Sequence, residues 1–109
     1  VILLIYFRKM ANRQTGVIGA GNWIIDHVKM IDDYPGEENL ANIRSEASAN
    51  GGAAYNLLKD LALMQAGIPL VALGKIGQDA DGEYILADCE QLGIDTAHLQ
   101  VTPQYATSY

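Results

Sequence analysis

At Asn50-Gly51-Gly52 the hydrophobic period of the chain changes, and most of the expected architecture follows from that point. After the two glycines, Ala54, Leu57, Leu58, Leu61, Ala62 and Gln65 fall at spacings of three and four, the period of a helix that buries one apolar face. Gly67 supplies a left-handed stop and Pro69 cannot continue the helix, so a strand over Leu70 to Leu73 is expected directly afterwards. Asp79 or Asp81 caps a second helix that carries Ile85, Cys89 and Leu92 on one face and ends at Gly93. Ile94 to Val101 then returns to extended structure. Before the glycines, Gly16 to Asp26 reads as one buried strand, β-branched and aromatic, with glycines that admit close backbone approach. Val28 to Ile31 continues extended, Asp32 to Glu38 turns around Pro35-Gly36, and Leu40 to Ser48 alternates weakly, which gives short lid-like strands at about 27–50. Strand, helix, strand, helix and strand in that order make an α/β fold: a parallel sheet flanked by helices, with right-handed crossovers.

Charge and composition narrow the classes of function. Seven Lys plus Arg against 13 Asp plus Glu leave a net charge of -6 over 109 residues, which argues against a nucleic-acid partner. The single Cys89 can form neither an internal disulfide nor a multi-cysteine metal site, and a reducing cytoplasm is the expected compartment. His27 and His98, far apart and accompanied by one cysteine, read as surface or hydrogen-bonded histidines rather than zinc ligands. The apolar run Val1 to Phe7 is far short of the ~20 residues of a membrane span. Its charges, Arg8 and Lys9, follow the run instead of preceding it, so neither a signal peptide nor a membrane partner is expected. Met10 opens an ordinary polar start, which makes residues 1–9 an extraneous segment and 10–109 the domain.

Ligands of parallel α/β sheets gather at the carboxyl ends of the strands. Asp26 is expected at such an end and Gly51-Gly52 at a helix N-terminus whose first N–H groups lack partners, so the two converge on one pocket. Gly74, Gly77, Asp79 and Gly82 read as the residues of a strand-to-helix turn, Trp23 as core, and Asp32, Asp33, Glu37 and Glu38 as a solvated loop. A Rossmann-type dinucleotide-binding domain is a competing reading, because Gly16, Gly19 and Gly21 invite comparison with Gly-x-Gly-x-x-Gly. Counted from Gly19 the third glycine position is Ile24, and the downstream stretch lacks a helical period. A helix over 22–33 would favour that reading; extended structure there would count against it.

Three motifs, Gly21-Asn22-Trp23-Ile24-Ile25-Asp26, Gly51-Gly52-Ala53-Ala54-Tyr55-Asn56 and Gly74-Lys75-Ile76-Gly77-Gln78-Asp79-Ala80-Asp81-Gly82, stand in an order and spacing that resembles the N-terminal part of the PfkB (ribokinase-like) carbohydrate kinases, from about Gly16 to Tyr109. The resemblance implies a ribokinase-like fold with a small β lid. It also implies ATP-dependent phosphorylation of a sugar or nucleoside hydroxymethyl group, ATP and Mg²⁺ as cofactors, and a homodimer formed through the lid. By the same resemblance Asp26 accepts hydrogen bonds from sugar hydroxyls, Gly51 and Gly52 sit where the lid joins the helix, and Asn56 also contacts the sugar. Asn22 matches the Gly-Asn-x-x-x-Asp form of the first motif, which is similar to nucleoside-kinase members. The chemistry agrees: a carboxylate offers about four acceptor sites for neighbouring hydroxyls, an amide adds a donor and an acceptor, and glycine removes any Cβ that would hold a sugar off the backbone.

The family carries its catalytic base, Gly-Ala-Gly-Asp anion hole and nucleotide pocket beyond the part that these residues resemble. The 109 residues are therefore expected to form the substrate-binding half, with no catalytic residue and no useful rate, because phosphoryl transfer depends on positioning and electrostatics at both partners. A sheet cut partway through also suggests a poorly soluble or oligomeric chain. A non-catalytic sugar-binding or interaction module that keeps only this half is the remaining alternative.

Overall fold

The computed structural model describes residues 4–5 and 15–109. Along them run β1 (Leu4–Ile5), β2 (Val17–Ala20), β3 (Ile24–Ile31), β4 (Ile43–Gly51), α1 (Ala53–Leu63), β5 (Leu70–Gly77), α2 (Ala80–Gln91) and β6 (Asp95–Thr102). One sheet has the order β1-β2-β5-β6. Its members β2, β5 and β6 are parallel, as the alternation of strands and helices requires. From the segment 1–9, Leu4 and Ile5 pair antiparallel with Ala20 and Gly19 of β2; its other residues and Met10 lie outside the described ones. β3 and β4 form a separate antiparallel ribbon between β2 and α1.

The ribbon corrects the sequence reading in two ways. Gly16 to Asp26 is not one strand: β2 ends at Ala20 and β3 begins at Ile24. The break falls at Gly21-Asn22, two residues that disfavour strands, and Trp23 follows with its side chain buried and its indole N–H donated to the Leu73 carbonyl at 3.1 Å. That large ring anchors the chain on β5 where it leaves the parallel sheet. Asp26 consequently does not stand at the carboxyl end of a parallel strand. It is the third residue of β3, paired across the ribbon with Ala49. The ribbon runs from Ile24 to Gly51.

Both helices end in the same way, one with the expected residue and one without. At α2, Gly93 takes φ 71°, the Gly93 N–H bonds to the Glu90 carbonyl, and the Ile94 N–H reaches the Cys89 carbonyl at 2.9 Å, a Schellman closure. At α1 the closure falls on Gln65 (φ 52°), with Gln65 N–H to the Ala62 carbonyl and Ala66 N–H to the Leu61 carbonyl. The helix therefore ends at Leu63 rather than near Gly67, which adopts φ 67° in the following turn. A residue with a Cβ in the left-handed region costs about 1 kcal/mol. Gln65→Gly is accordingly expected to raise stability by about 0.5–1 kcal/mol in a urea titration; an unchanged or lower midpoint would contradict the αL assignment.

Leu58 of α1, Ile85 and Cys89 of α2, Ala72 and Ile76 of β5, and Trp23 and Tyr55 make the centre of the core. Burial, with the Asp88 and Glu90 carboxylates beside it, pushes the Cys89 thiol up to about 11, so this cysteine is a packed apolar group and not a nucleophile.

Asp79 caps α2 and also closes the sheet end. Its carboxylate accepts from the Gly82 N–H at 2.8 Å, the Thr107 N–H at 2.7 Å and the Thr107 hydroxyl at 2.6 Å. The same Thr107 oxygen accepts the Gly77 N–H at 2.9 Å. The third motif thus performs the structural turn expected of it. The Thr107 hydroxyl, the Thr107 N–H and the Gly82 N–H, in that order, hold the Asp79 carboxyl below its ordinary value of 3.8. A carboxyl depressed in the folded state lends stability that is complete above its unfolded value and is lost as pH falls through the folded one. Asp79→Asn is expected to flatten the loss of thermal stability below about pH 4, measured as melting temperature against pH; an identical acid limb in both proteins would contradict this.

Candidate sugar site at the ribbon–helix junction

The junction between β4 and α1 is built from Gly51 and Gly52. Gly52 has φ 97° and ψ 148°, a conformation essentially restricted to glycine, and it is the N-cap of α1 without any side-chain cap. A Cβ there would run into the Asn22 carbonyl oxygen. The positive end of α1 therefore begins at the junction with no side chain capping its first backbone N–H groups. The Asn56 N–H is already spent on the Gly52 carbonyl at 2.9 Å, while its side chain is exposed.

Gly51 meets Asp26. A Cβ built on Gly51 would lie 2.5 Å from Asp26 Oδ2, so the carboxylate occupies the space that glycine leaves. Asp26 and Asn22 are both exposed and accessible to a ligand. Asn22 lies in the turn between β2 and β3, with its backbone against Gly52. Asp26, Gly51, Gly52 and the Asn22 backbone thus converge at the foot of the ribbon, from positions 22, 26, 51 and 52. Asn56 sits one turn into α1, on the helix that begins there.

The ribbon is further held by contacts within itself and to the body. His27 Nδ1 lies 2.9 Å from Ser48 Oγ and its Nε2 3.5 Å from an Asp81 oxygen on α2. The Ile25 N–H donates to the Ser108 carbonyl at 3.0 Å, where Ser108 bridges to Ile24 in parallel. A cavity of about 310 Å³ opens between His27, Lys29, Glu46, Ser48 and Tyr109. At the far tip, Asp32 accepts the Asn42 side-chain amide at 2.7 Å, the Asp33 N–H at 2.8 Å and the Asn42 N–H at 3.1 Å, which closes the acidic turn.

Residues 16–109 match the pfkB family of carbohydrate kinases. The chain belongs to that family. This pfkB-family chain is 29% identical over 85 residues to an ATP-dependent ribose-1-phosphate kinase of Halopiger xanaduensis, across 78% of its own length and 28% of the relative's. Among solved structures it is similar to the fructokinase of Halothermothrix orenii, with TM-score 0.67 and 20% identity over 83% of this chain and 30% of that one. It is also similar to an uncharacterized sugar kinase of Pyrococcus horikoshii in complex with ATP, with TM-score 0.64 and 21% identity over 83% of this chain and 27% of that one. The chain therefore spans between about a quarter and a third of the length of the relatives it matches. The ribokinase-like fold agrees with the α/β order read from the sequence. The dinucleotide reading fails on the discriminating segment, because Ile24–Ile31 is a strand and β2 is followed by no helix to receive a pyrophosphate.

Sequence reasoning missed a polar cluster beside the junction. The Tyr55 hydroxyl donates to Asp88 Oδ2, and Asn50 Nδ2 reaches the same oxygen at 3.4 Å. Burial, with the Asp88 carboxylate next, pushes the Tyr55 phenol above its ordinary value, so it stays a donor at every working pH. Nothing periodic marks these three residues in the sequence, where Tyr55 stands only as a member of the second motif. Among the described residues no helix is long and apolar enough to cross a membrane, and no three His, Cys, Asp or Glu side chains gather as a metal group.

Proposed function

We propose that this chain supplies the sugar-binding wall of a kinase that transfers the γ-phosphoryl group of ATP to a hydroxymethyl group of a sugar or nucleoside. One observation carries the reading: the exposed Asp26 carboxylate lies against the side-chain-free Gly51, at the foot of a two-stranded ribbon and beside the N-terminus of α1, which no side chain caps. An ionised carboxylate in that place holds two neighbouring hydroxyls of a polyol, and Asn22 and Asn56 add amide donors and acceptors at its margins. The ribbon acts as a lid that excludes water from the hydroxyl to be phosphorylated, and a homodimer pairs through it. Mg²⁺ enters with the nucleotide phosphates rather than on a protein cage, the usual way for this ion in phosphoryl transfer. The 109 residues alone bind substrate and do not turn it over, since ATP is positioned by the remainder of the longer protein; the whole works in the cytoplasm.

Family membership and the ATP-dependent relative support phosphoryl transfer to a carbohydrate. The test is to offer the complete protein ATP, Mg²⁺ and a panel that includes D-ribose, ribose 1-phosphate, D-fructose and adenosine. Sugar-dependent formation of ADP with one member is the expected result. Binding without turnover would favour a sugar-binding module instead, and neither binding nor turnover across the panel would refute the reading.

A further inference from the structure

Asp88 stands on α2, away from the residues that face a sugar, yet it is bonded to both flanks of the glycine junction. Asn50 immediately precedes Gly51, and Tyr55 lies in the first turn of α1 just after Gly52. Both donate to one oxygen of the Asp88 carboxylate, Asn50 Nδ2 at 3.4 Å and the Tyr55 hydroxyl in the shorter bond. Asn50 is 8% exposed and Tyr55 2%. Asn50 Oδ1 is buried without a partner among the described residues. Across the ribbon Asn50 pairs with Ile25, the neighbour of Asp26.

The junction has little restraint of its own. Two successive glycines leave the backbone the widest choice of torsions, and no side chain caps α1. Bonds to an ionised acceptor are about twice as strong as neutral ones, so the Asp88 carboxylate is the fixed point from which the two flanks hang. Resting on the reading of Asp26 as the sugar ligand, we infer that Asp88 is a positioning residue: by holding Asn50 and Tyr55 on one carboxylate oxygen it fixes the Gly51–Gly52 junction, and through it the place of the Asp26 carboxylate. Without Asp88, Asn50 keeps its whole amide buried with no partner at either end, a cost that the flexible junction relieves by moving.

The experiment uses the complete protein with Asp88→Ala, Asp88→Asn and Tyr55→Phe, and two measurements. Amide hydrogen exchange over residues 48–55 requires no substrate; Asp88→Ala is expected to speed it about tenfold while β5 and β6 keep their protection, and Asp88→Asn, which keeps a neutral acceptor for the tyrosine, restores part of that protection. Steady-state kinetics on the panel sugar that the wild type phosphorylates best should show KM raised about tenfold in Asp88→Ala, with kcat changed less than about twofold. If Asp88→Ala does not fold, Tyr55→Phe carries the test, with the same two changes in smaller measure. Unchanged junction exchange and unchanged KM, whatever the melting temperature, would overturn the inference. A wild type that phosphorylates no sugar would refute the proposed reaction, while hydrogen exchange would still decide whether Asp88 holds the junction.

Discussion

Asp26→Ala in the complete protein is expected to lower kcat/KM for the sugar about a hundredfold or more. The carboxylate is exposed and faces the junction, so its removal leaves no buried charge behind and little reason for the fold to suffer. What is lost is the pair of charge-assisted hydrogen bonds to substrate hydroxyls, each worth about 1.5–3 kcal/mol, and about 1.4 kcal/mol is tenfold in rate. Asp26→Asn keeps the shape and one acceptor oxygen, and an intermediate loss of about tenfold is expected. Melting temperatures close to the wild type would separate this result from misfolding. Full activity in Asp26→Ala would remove the residue from the site.

The two glycines beside it should respond to the same substitution differently, one mainly in stability and the other mainly in KM. Gly52→Ala is expected to destabilise the protein by about 3 kcal/mol, because the φ of 97° is strained for any residue with a Cβ, which costs about 1–3 kcal/mol by itself. The new methyl also strikes the Asn22 carbonyl oxygen, a backbone atom that cannot step aside without moving the β2–β3 turn. Gly51→Ala has no such backbone penalty. The first atom its methyl meets is an Asp26 carboxylate oxygen, 2.5 Å from the ideal Cβ position, and a side-chain end can swing away. Stability should therefore fall by less than about 1 kcal/mol, while displacement of the carboxylate raises the sugar KM about tenfold. Urea titration and steady-state kinetics on both variants read the contrast; equal losses of stability, or an unchanged KM in Gly51→Ala, would contradict the geometry.

Much of the fold was legible in the sequence because it is local. The apolar positions of α1 and α2, the Asp79 cap and the Gly93 stop each depend on residues within a turn or two of one another, and the structure has them where the spacing puts them. The di-glycine at the head of α1 was legible for the same reason. The features that escaped depend on contacts between distant residues. Trp23, buried just after the Gly21-Asn22 break, ties the start of β3 to the carbonyl of Leu73, fifty residues away. β5 runs on to Gly77 instead of stopping at Leu73 because β6 pairs with it as far as Thr102, a partner that local composition does not announce. Gln65 is a local exception: it takes the left-handed turn ahead of Gly67, closed by bonds to Leu61 and Ala62 within the last turn, although glycine is the residue that favours this conformation. The cluster of Asn50, Tyr55 and Asp88 joins a strand end, a helix start and the middle of a second helix, and only the packed arrangement brings such residues together.

The decisive measurement is a crystal structure of the complete protein with the sugar it phosphorylates bound. Two adjacent sugar hydroxyls should lie within about 2.6–3.0 Å of the Asp26 carboxylate, with the sugar ring over Gly51 and beneath the β3–β4 ribbon. A sugar seated elsewhere, with the Asp26 carboxylate free of it, would contradict the proposed site.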